Sequence, residues 1–314
     1  MRRRAAIATL VLVSWVTGSA LGAIGPTAPA VAQTGIAIGK AHAGFAPSLT
    51  GTKPIVLLAV GSGARPGEDI LHSLADSLHL ISLNPARHRA TIIGIPRDSW
   101  VTVPDHGTSK INASLVQGGP ELLVRTIESI SGLTIDYWAI TTFWGITDLV
   151  NDLGGLTLDV PFSMSDPYSR SDFQPGVQHL EGSQVLAFSR DRHSFNQGDF
   201  ARSENGGRVL LALLAQFRTE FQRDQSNLFT WIGAGMRNVE TSVPLSEALD
   251  LAFTVSHLNP KGVTNAVLPG SSGTEGGLSV VFLSSAKDAI FADVRPDGIL
   301  SKRNRPPSPT AGET

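Results

Sequence analysis

Five cations close or open apolar runs along this chain, and their side chains are of the kind that grip phosphate. Arg97 lies in Ile95-Pro96-Arg97-Asp98, and Lys110 opens Lys110-Ile111-Asn112-Ala113. Arg190 and Arg192 share Arg190-Asp191-Arg192-His193, and Arg202 ends Gly198-Asp199-Phe200-Ala201-Arg202. A strand or helix ending at each motif would deliver all five to one edge of a sheet. A guanidinium fork matches two phosphate oxygens at once, so a convergent set suits a pyrophosphate. Asp98 has two readings: it holds Arg97 in place, or it serves as base for an acceptor hydroxyl. Arg190 and Arg192, if extended, share one face, and an anion between two like charges lowers the cost of their proximity. Arg202 falls in the first turn of a helix, where the macrodipole disfavours a cation. That placement is sensible where helix terminus and guanidinium grip the same phosphate. Asp199 reads equally well as the N-cap of that helix. Each motif alone also reads as solvated surface; the joint occurrence carries the argument.

The elements that must position these groups alternate in type. Residues 55–60 form a short apolar run ended by Gly61-Ser62-Gly63, a buried strand feeding a loop. Residues 77–83 and 90–95 read as strands about a hairpin apart, hence antiparallel. A helix is expected over 120–131, with Pro120 in its first turn and Gly132 at its end. A strand over 137–142, a helix over 143–153 and a strand over 156–160 follow. Residues 163–179 are polar and read as a long loop. Residues 202–221 form the longest expected helix, with Val209, Leu210, Leu213, Leu214 and Phe217 as its apolar face. A helix over 245–258 and a strand over 263–268 close the series. This mixture predicts one α/β domain over 51–296, a three-layer α/β/α arrangement with a mixed central sheet flanked by helices. Residues 33–50 read as a linker, and 297–314 as a disordered tail.

At 314 residues with 41% hydrophobic and 17% charged side chains, the chain can bury a sizeable core. A net charge of −2 gives no global signature of nucleic-acid binding. The absence of cysteine excludes disulfides, thiolate metal sites and cysteine nucleophiles. Met1-Arg2-Arg3-Arg4, an uncharged stretch over 5–23 and Ala30-Val31-Ala32 have the layout of a secretory signal. The uncharged stretch is also about as long as a membrane span. Residues 1–32 are therefore read as signal peptide or membrane anchor. In either case the domain is expected to be exported, secreted or held at the outer face of the cytoplasmic membrane.

In order and spacing the motifs resemble the LytR–CpsA–Psr family of bacterial cell envelopes, from about Ile55 to Pro269. The matching stretches are Gly61-Ser62 with Arg65, Asp76-Ser77, the four cationic motifs, Gly118-Gly119-Pro120-Glu121, Ile135-Asp136-Tyr137 and Asp152-Leu153-Gly154-Gly155. The resemblance implies transfer of a cell-wall glycopolymer from a polyprenyl-pyrophosphate carrier to peptidoglycan, outside the cytoplasmic membrane and without nucleic acid. It implies a hydrophobic tunnel for the prenyl tail. It places Arg97, Lys110, Arg190, Arg192, Arg202 and Arg65 on the phosphates, with Arg97 and Asp98 at the chemistry. It makes Asp76 a ligand of Mg²⁺. Phosphoryl transfer needs mostly positioning and charge neutralisation, which arginines and magnesium both supply.

Three departures qualify the activity. Gly63 stands where the family usually has Asp, and Leu74 where it usually has Arg. After Arg202 the family's Arg and Gln residues give way to Ser203-Glu204-Asn205-Gly206-Gly207, with Arg208 beyond. The first predicts weaker magnesium binding. The third predicts a negative charge directed at the pyrophosphate, and two glycines costing about 1 kcal/mol each relative to Ala. A second reading therefore stands beside the transferase: a catalytically weak homologue that binds polyprenyl phosphate or cell-wall polymer. A transcriptional attenuator is disfavoured, because only residues 1–4 precede the apolar segment and no basic recognition face is evident.

Overall fold

The computed structural model describes residues 35–42, 51 and 53–310, and for 235–240 the backbone alone. The signal or anchor expected at 1–32 lies outside the described residues. In chain order the first elements are β1 (Ile36–Lys40), β2 (Ile55–Ser62), β3 (Ala75–Asn84), β4 (Arg89–Gly94), β5 (Trp100–Val103) and β6 (Gly107–Lys110). Then come α1 (Ala113–Ser131), β7 (Tyr137–Thr142), α2 (Phe143–Asp152), β8 (Leu156–Val160), β9 (Met164–Asp166), β10 (Ser171–Phe173) and β11 (Gly176–Leu180). The rest are α3 (Gly182–Arg190), α4 (Gly198–Arg223), α5 (Asn227–Asn238), β12 (Val239–Thr241), α6 (Leu245–Ser256), β13 (Val263–Val267), β14 (Gly270–Glu275), β15 (Leu278–Leu283) and α7 (Ala286–Val294).

Seven strands form the central sheet in the order β12-β1-β7-β2-β3-β4-β13. It is mixed: β2, β3 and β4 run antiparallel in sequence, whereas β2 pairs β7, and β4 pairs β13, in parallel. Apolar residues at alternate positions decide which side each strand buries. Leu78 and Leu80 of β3, with Leu58 and Ile93, pack against Leu122, Leu123 and Ile127 of α1 and Phe291 of α7. Leu57 and Ile81 point the other way, towards Leu214 of α4 and Leu251 and Val255 of α6. Helices thus cover both faces, as expected for a three-layer α/β/α fold. A second apolar cluster joins α2, β8, α3 and α4 through Leu158, Val185, Phe188 and Val209.

Several expectations need correction. Residues 33–50 are not all linker: Ile36 and Ala37 are buried in β1, which pairs β7 on one side and β12 on the other. Small residues gave that stretch a linker's composition, yet they suit a strand closely covered by neighbours. Residues 297–310 are not a loose tail. Leu300 is buried and its N–H donates to Thr91 Oγ1 at 2.9 Å, and Arg305 donates to Thr264 Oγ1 at 2.7 Å. The stretch 163–179 is not one loop, since β9 pairs β10 and β11 pairs β8. The helix expected from residue 120 begins at Ala113 and kinks at Gly118-Gly119, where Gly119 has φ 64°; Pro120 opens the second segment rather than the helix.

Candidate functional site

Local structure explains how each motif is delivered. Asp76 is the second residue of β3, beside the register shift between Gly61 and Ser62 of β2. Arg97 follows β4, and its carbonyl accepts from Asn112 N–H at 3.2 Å, tying it to the loop that carries Lys110. Thr142 caps α2, accepting from Gly145 N–H at 3.1 Å, which sets Phe143 at the helix start. A capping box between Glu181 and Gln184 starts α3 and puts Arg190 in its last turn, where a cation favours the macrodipole. Residues 182–190 are therefore helical, and Arg190 and Arg192 do not share an extended face. Asp191 turns inward instead: it is fully buried and accepts from Ser194 N–H at 3.1 Å and from the Ser171 and Ser194 hydroxyls. Arg202 is the fifth residue of α4, whose N-cap is Gln197; Asp199 lies inside the first turn rather than capping it.

A cavity of about 580 Å³ opens between the sheet and α2, α3 and α4. Its interior is apolar, with Ile38, Ile146, Leu149, Leu210 and Leu213 among its walls. Four guanidiniums (Arg97, Arg190, Arg192, Arg202) and two carboxylates (Asp76, Asp166) line the polar end. Arg97 Nη1 donates to Asp76, and its Nε lies 3.7 Å from Asp98 Oδ2. Lys110 Nζ lies 3.0 Å from Asp98 Oδ1. Arg192 and Arg202 reach one carboxylate, Asp199, at 3.1 and 3.6 Å. Arg190 stacks over the Phe143 ring at 4.7 Å. Burial first, then repulsion from Arg97 and Arg192, pushes Arg202 down to about 10, with Asp199 opposing. Arg202 still carries its charge at neutral pH, in a place that an anion would relieve.

The structure thus brings Arg97, Arg190, Arg192, Arg202 and Asp76 to one cavity. It leaves Lys110, Asp98 and Arg65 out of the lining. Asp98 stands between Arg97 and Lys110, 3.7 Å from the first and 3.0 Å from the second. Arg65 is exposed in the loop after β2, its N–H donating to Glu68 Oε2 at 2.8 Å.

Glu204 does not face the polar end of the cavity, against the sequence expectation. It points to the opposite side of α4, where Ser308 Oγ lies 2.7 Å from both its oxygens, Thr310 Oγ1 2.9 Å and Arg208 3.1 Å. The two glycines beside it also have a purpose. A Cβ on Gly206 would sit 2.5 Å from the His79 ring, and one on Gly207 would sit 2.1 Å from Asn265 Oδ1. They let α4 lie against the sheet.

Sequence reasoning passed over three polar groups in this cavity. His79 of β3 is buried, its Nε2 2.8 Å from the Ser203 carbonyl and its Nδ1 3.3 Å from Ser77 Oγ. Burial pushes it down to about 4, so it is neutral at physiological pH. Asp166 and His193 form a pair at the cavity's edge. His193 stood inside a recognised motif, but Asp166 lay in a stretch read as loop, so nothing marked them as partners.

Magnesium can be tested against the donors present. Among the described residues no three His, Asp or Glu side chains gather as a metal cage. Asp76 has one oxygen engaged by Arg97, and its Oδ2 faces Gly63, where a Cβ would lie 2.6 Å away. One carboxylate suits a magnesium ion that keeps waters and arrives on phosphate oxygens. It does not suit an ion held by protein alone.

The LytR_cpsA_psr family model matches residues 30–292. The chain belongs to this family. A relative within it, the polyisoprenyl-teichoic acid–peptidoglycan teichoic acid transferase TagV of Bacillus subtilis, is 30% identical over 205 residues, 63% of this chain and 52% of TagV. The chain spans about half the length of the curated relatives it matches. The crystal structure of B. subtilis TagV superposes with a TM-score of 0.63 at 26% identity, covering 78% of this chain and 95% of that one. YwtF (TagT) of B. subtilis, solved with bound octaprenyl pyrophosphate lipid, gives a TM-score of 0.59 at 22% identity over 80% of this chain and 90% of that one. At that identity the LytR–CpsA–Psr likeness to TagT speaks for the fold alone.

Proposed function

We propose that this LytR–CpsA–Psr protein is an exported transferase that moves a cell-wall glycopolymer from a polyprenyl-pyrophosphate carrier to peptidoglycan at the outer face of the cytoplasmic membrane. One observation carries the reading: a cavity with apolar walls and four guanidiniums at its polar end. The apolar part suits a prenyl chain, which gains about 0.8 kcal/mol per buried CH₂. The guanidiniums suit the pyrophosphate, and they neutralise the charge that grows on the departing prenyl phosphate. Arg97 is pre-aimed by Asp76 and by the Asp98–Lys110 pair, so little ordering is left for the moment of reaction. The apolar walls exclude water, which strengthens each charge contact and protects the diphosphate from hydrolysis. Asp76 would hold magnesium, whose charge would supply further neutralisation at the phosphates. The teichoic acid transferase TagV and the lipid bound to TagT agree with this reading. So does the basic, then uncharged, N-terminal stretch, which fits export.

The test is magnesium-dependent phosphate release from geranylgeranyl pyrophosphate, and glycan transfer from a polyprenyl-pyrophosphate-linked saccharide, by the full chain in detergent. Wild-type turnover that disappears in Arg202→Ala is the expected result. Gly63 beside Asp76 favours the second reading, a binding protein for polyprenyl phosphate. Tight lipid binding without turnover at any magnesium concentration would select it.

A further inference from the structure

His193 stands where two cavities meet. It lines the apolar cavity and also a polar basin of about 370 Å³ that includes Asn196, Gln197, Ser271 and Ser272. Its Nδ1 lies 3.0 Å from Oδ2 of Asp166, whose side chain is 1% exposed. The backbone fixes that carboxylate: Tyr168 N–H donates to Oδ1 at 2.8 Å and Arg192 N–H to Oδ2 at 3.3 Å. Burial works against the charge on Asp166, but donation from His193, Tyr168 and Arg192 outweighs it and holds the carboxyl below the usual range. An anionic acceptor at Nδ1 puts the ring proton there and leaves the lone pair on Nε2. Nε2 has no hydrogen-bond partner among the described residues, and the side chain is 55% exposed. The Tyr168 ring, 4.7 Å away between centroids, packs against the imidazole.

Resting on the transferase reading, we propose that His193 is the general base of the transfer, oriented by Asp166, and that the polar basin seats the acceptor sugar. The acceptor hydroxyl oxygen bonds to the phosphorus that bears the glycopolymer. The bond from that phosphorus to the bridging oxygen breaks, and its electron pair leaves on prenyl monophosphate. The hydroxyl proton goes to Nε2, and Asp166 stabilises the imidazolium until water takes the proton. An alcohol and a diphosphate diester thus become a phosphodiester and a monophosphate. Asp98, the alternative base, is engaged by Arg97 and Lys110 and does not line the cavity. The arginines at the polar end are cations with no lone pair to offer.

The experiment compares wild type, His193→Gln, His193→Ala and Asp166→Asn, all as full chains, for donor affinity and for transfer to a peptidoglycan saccharide. General base catalysis contributes roughly 10²–10⁴-fold, so His193→Gln is expected to lose at least about 10²-fold in rate with donor affinity unchanged. Added imidazole is expected to restore part of the activity of His193→Ala, an effect that no structural role of the ring would produce. Ser272→Trp, which narrows the basin from β14, is expected to raise KM for the acceptor and leave donor affinity unchanged. Transfer by His193→Gln within about threefold of wild type overturns the assignment, as does a donor affinity that falls in step with the rate. A wild type that binds donor and never transfers overturns the transferase reading itself, and the base with it.

Discussion

The two sides of the cavity's polar end use the same side chains and balance them differently. On the β3–β4 side, Arg97 and Lys110 meet Asp76 and Asp98, two cations against two anions. On the α4 side, Arg192 and Arg202 share Asp199, while Arg190 stacks on Phe143. The first side is a neutral frame whose job is position. The second sets three cations against Asp199, and Arg202 among them is buried; burial first, then repulsion from Arg97 across the seam and from Arg192, lowers its pKa. An anion is therefore drawn to the α4 side and aligned by the β3–β4 side.

Removing one charge from each side tests the contrast most severely. Arg202→Ala takes a donor from the surplus side in a water-excluded cavity, and a loss of roughly 10²–10³-fold in turnover is expected. Arg97→Ala is expected to lose less, because it frees Asp76 to hold magnesium beside the phosphates. Its activity should recover in part as magnesium is raised, whereas that of Arg202→Ala should not. Equal losses with no magnesium response in a steady-state assay would break the comparison.

The seam between the two sides carries a pH dependence. His79 of β3 contacts Ser203 of α4, and its pKa is near 4 in the fold against about 6.5 unfolded. Above pH 6.5 both states are neutral there and the fold keeps its full stability. As pH falls from about 6.5 to about 4, the unfolded chain takes up a proton that the folded chain refuses. Stability should drop on the order of 3 kcal/mol across that window. His79→Leu is expected to flatten this part of the pH profile in urea denaturation; an unchanged profile would place the acid sensitivity elsewhere.

The same seam gives a smaller, purely steric prediction. Gly206→Ala drives a Cβ to 2.5 Å from the His79 ring. Overpacking of this kind costs about 1–3 kcal/mol. Combined with His79→Ala, that cost should shrink, so the double-mutant cycle should show coupling. Additive losses would mean that α4 shifts as a body and the glycine is not needed for the close approach.

The central strands were legible because β2, β3, β4 and β7 are short apolar runs, the first three with Gly or Pro beside them, a local signal. The cationic motifs were legible because residue type and spacing alone suggest phosphate. What escaped depends on partners distant in sequence. Strand β1 is too short and too rich in small residues to be recognised until β7 and β12 flank it. Glu204 reads as a threat to the phosphate site until the stretch around Ser308 and Thr310 is seen to claim it. Asp166 looks like one acid in a polar loop until β9 sets it under His193. Composition tells which groups a chain owns; only the topology tells which face of α4 each one uses.

Gly63 offers the gentlest way to sharpen the contrast, since it lies on the balanced side and can be given a third acid. Gly63→Asp would place a carboxylate against Asp76, with the new Cβ 2.6 Å from Oδ2 in the present arrangement. The obstacle is the far end of a flexible side chain, so Asp76 can swing aside. Without metal, two carboxylates there repel, and the fold should lose a little stability. With magnesium, the pair becomes a two-carboxylate site of the kind this ion accepts. The expected outcome is a lower Tm than wild type in EDTA, reversed in millimolar magnesium, with tighter magnesium binding by calorimetry. Should the variant bind magnesium no better than wild type, Asp76 would be committed to Arg97 too firmly to turn. The β3–β4 side would then be a frame for guanidinium alone.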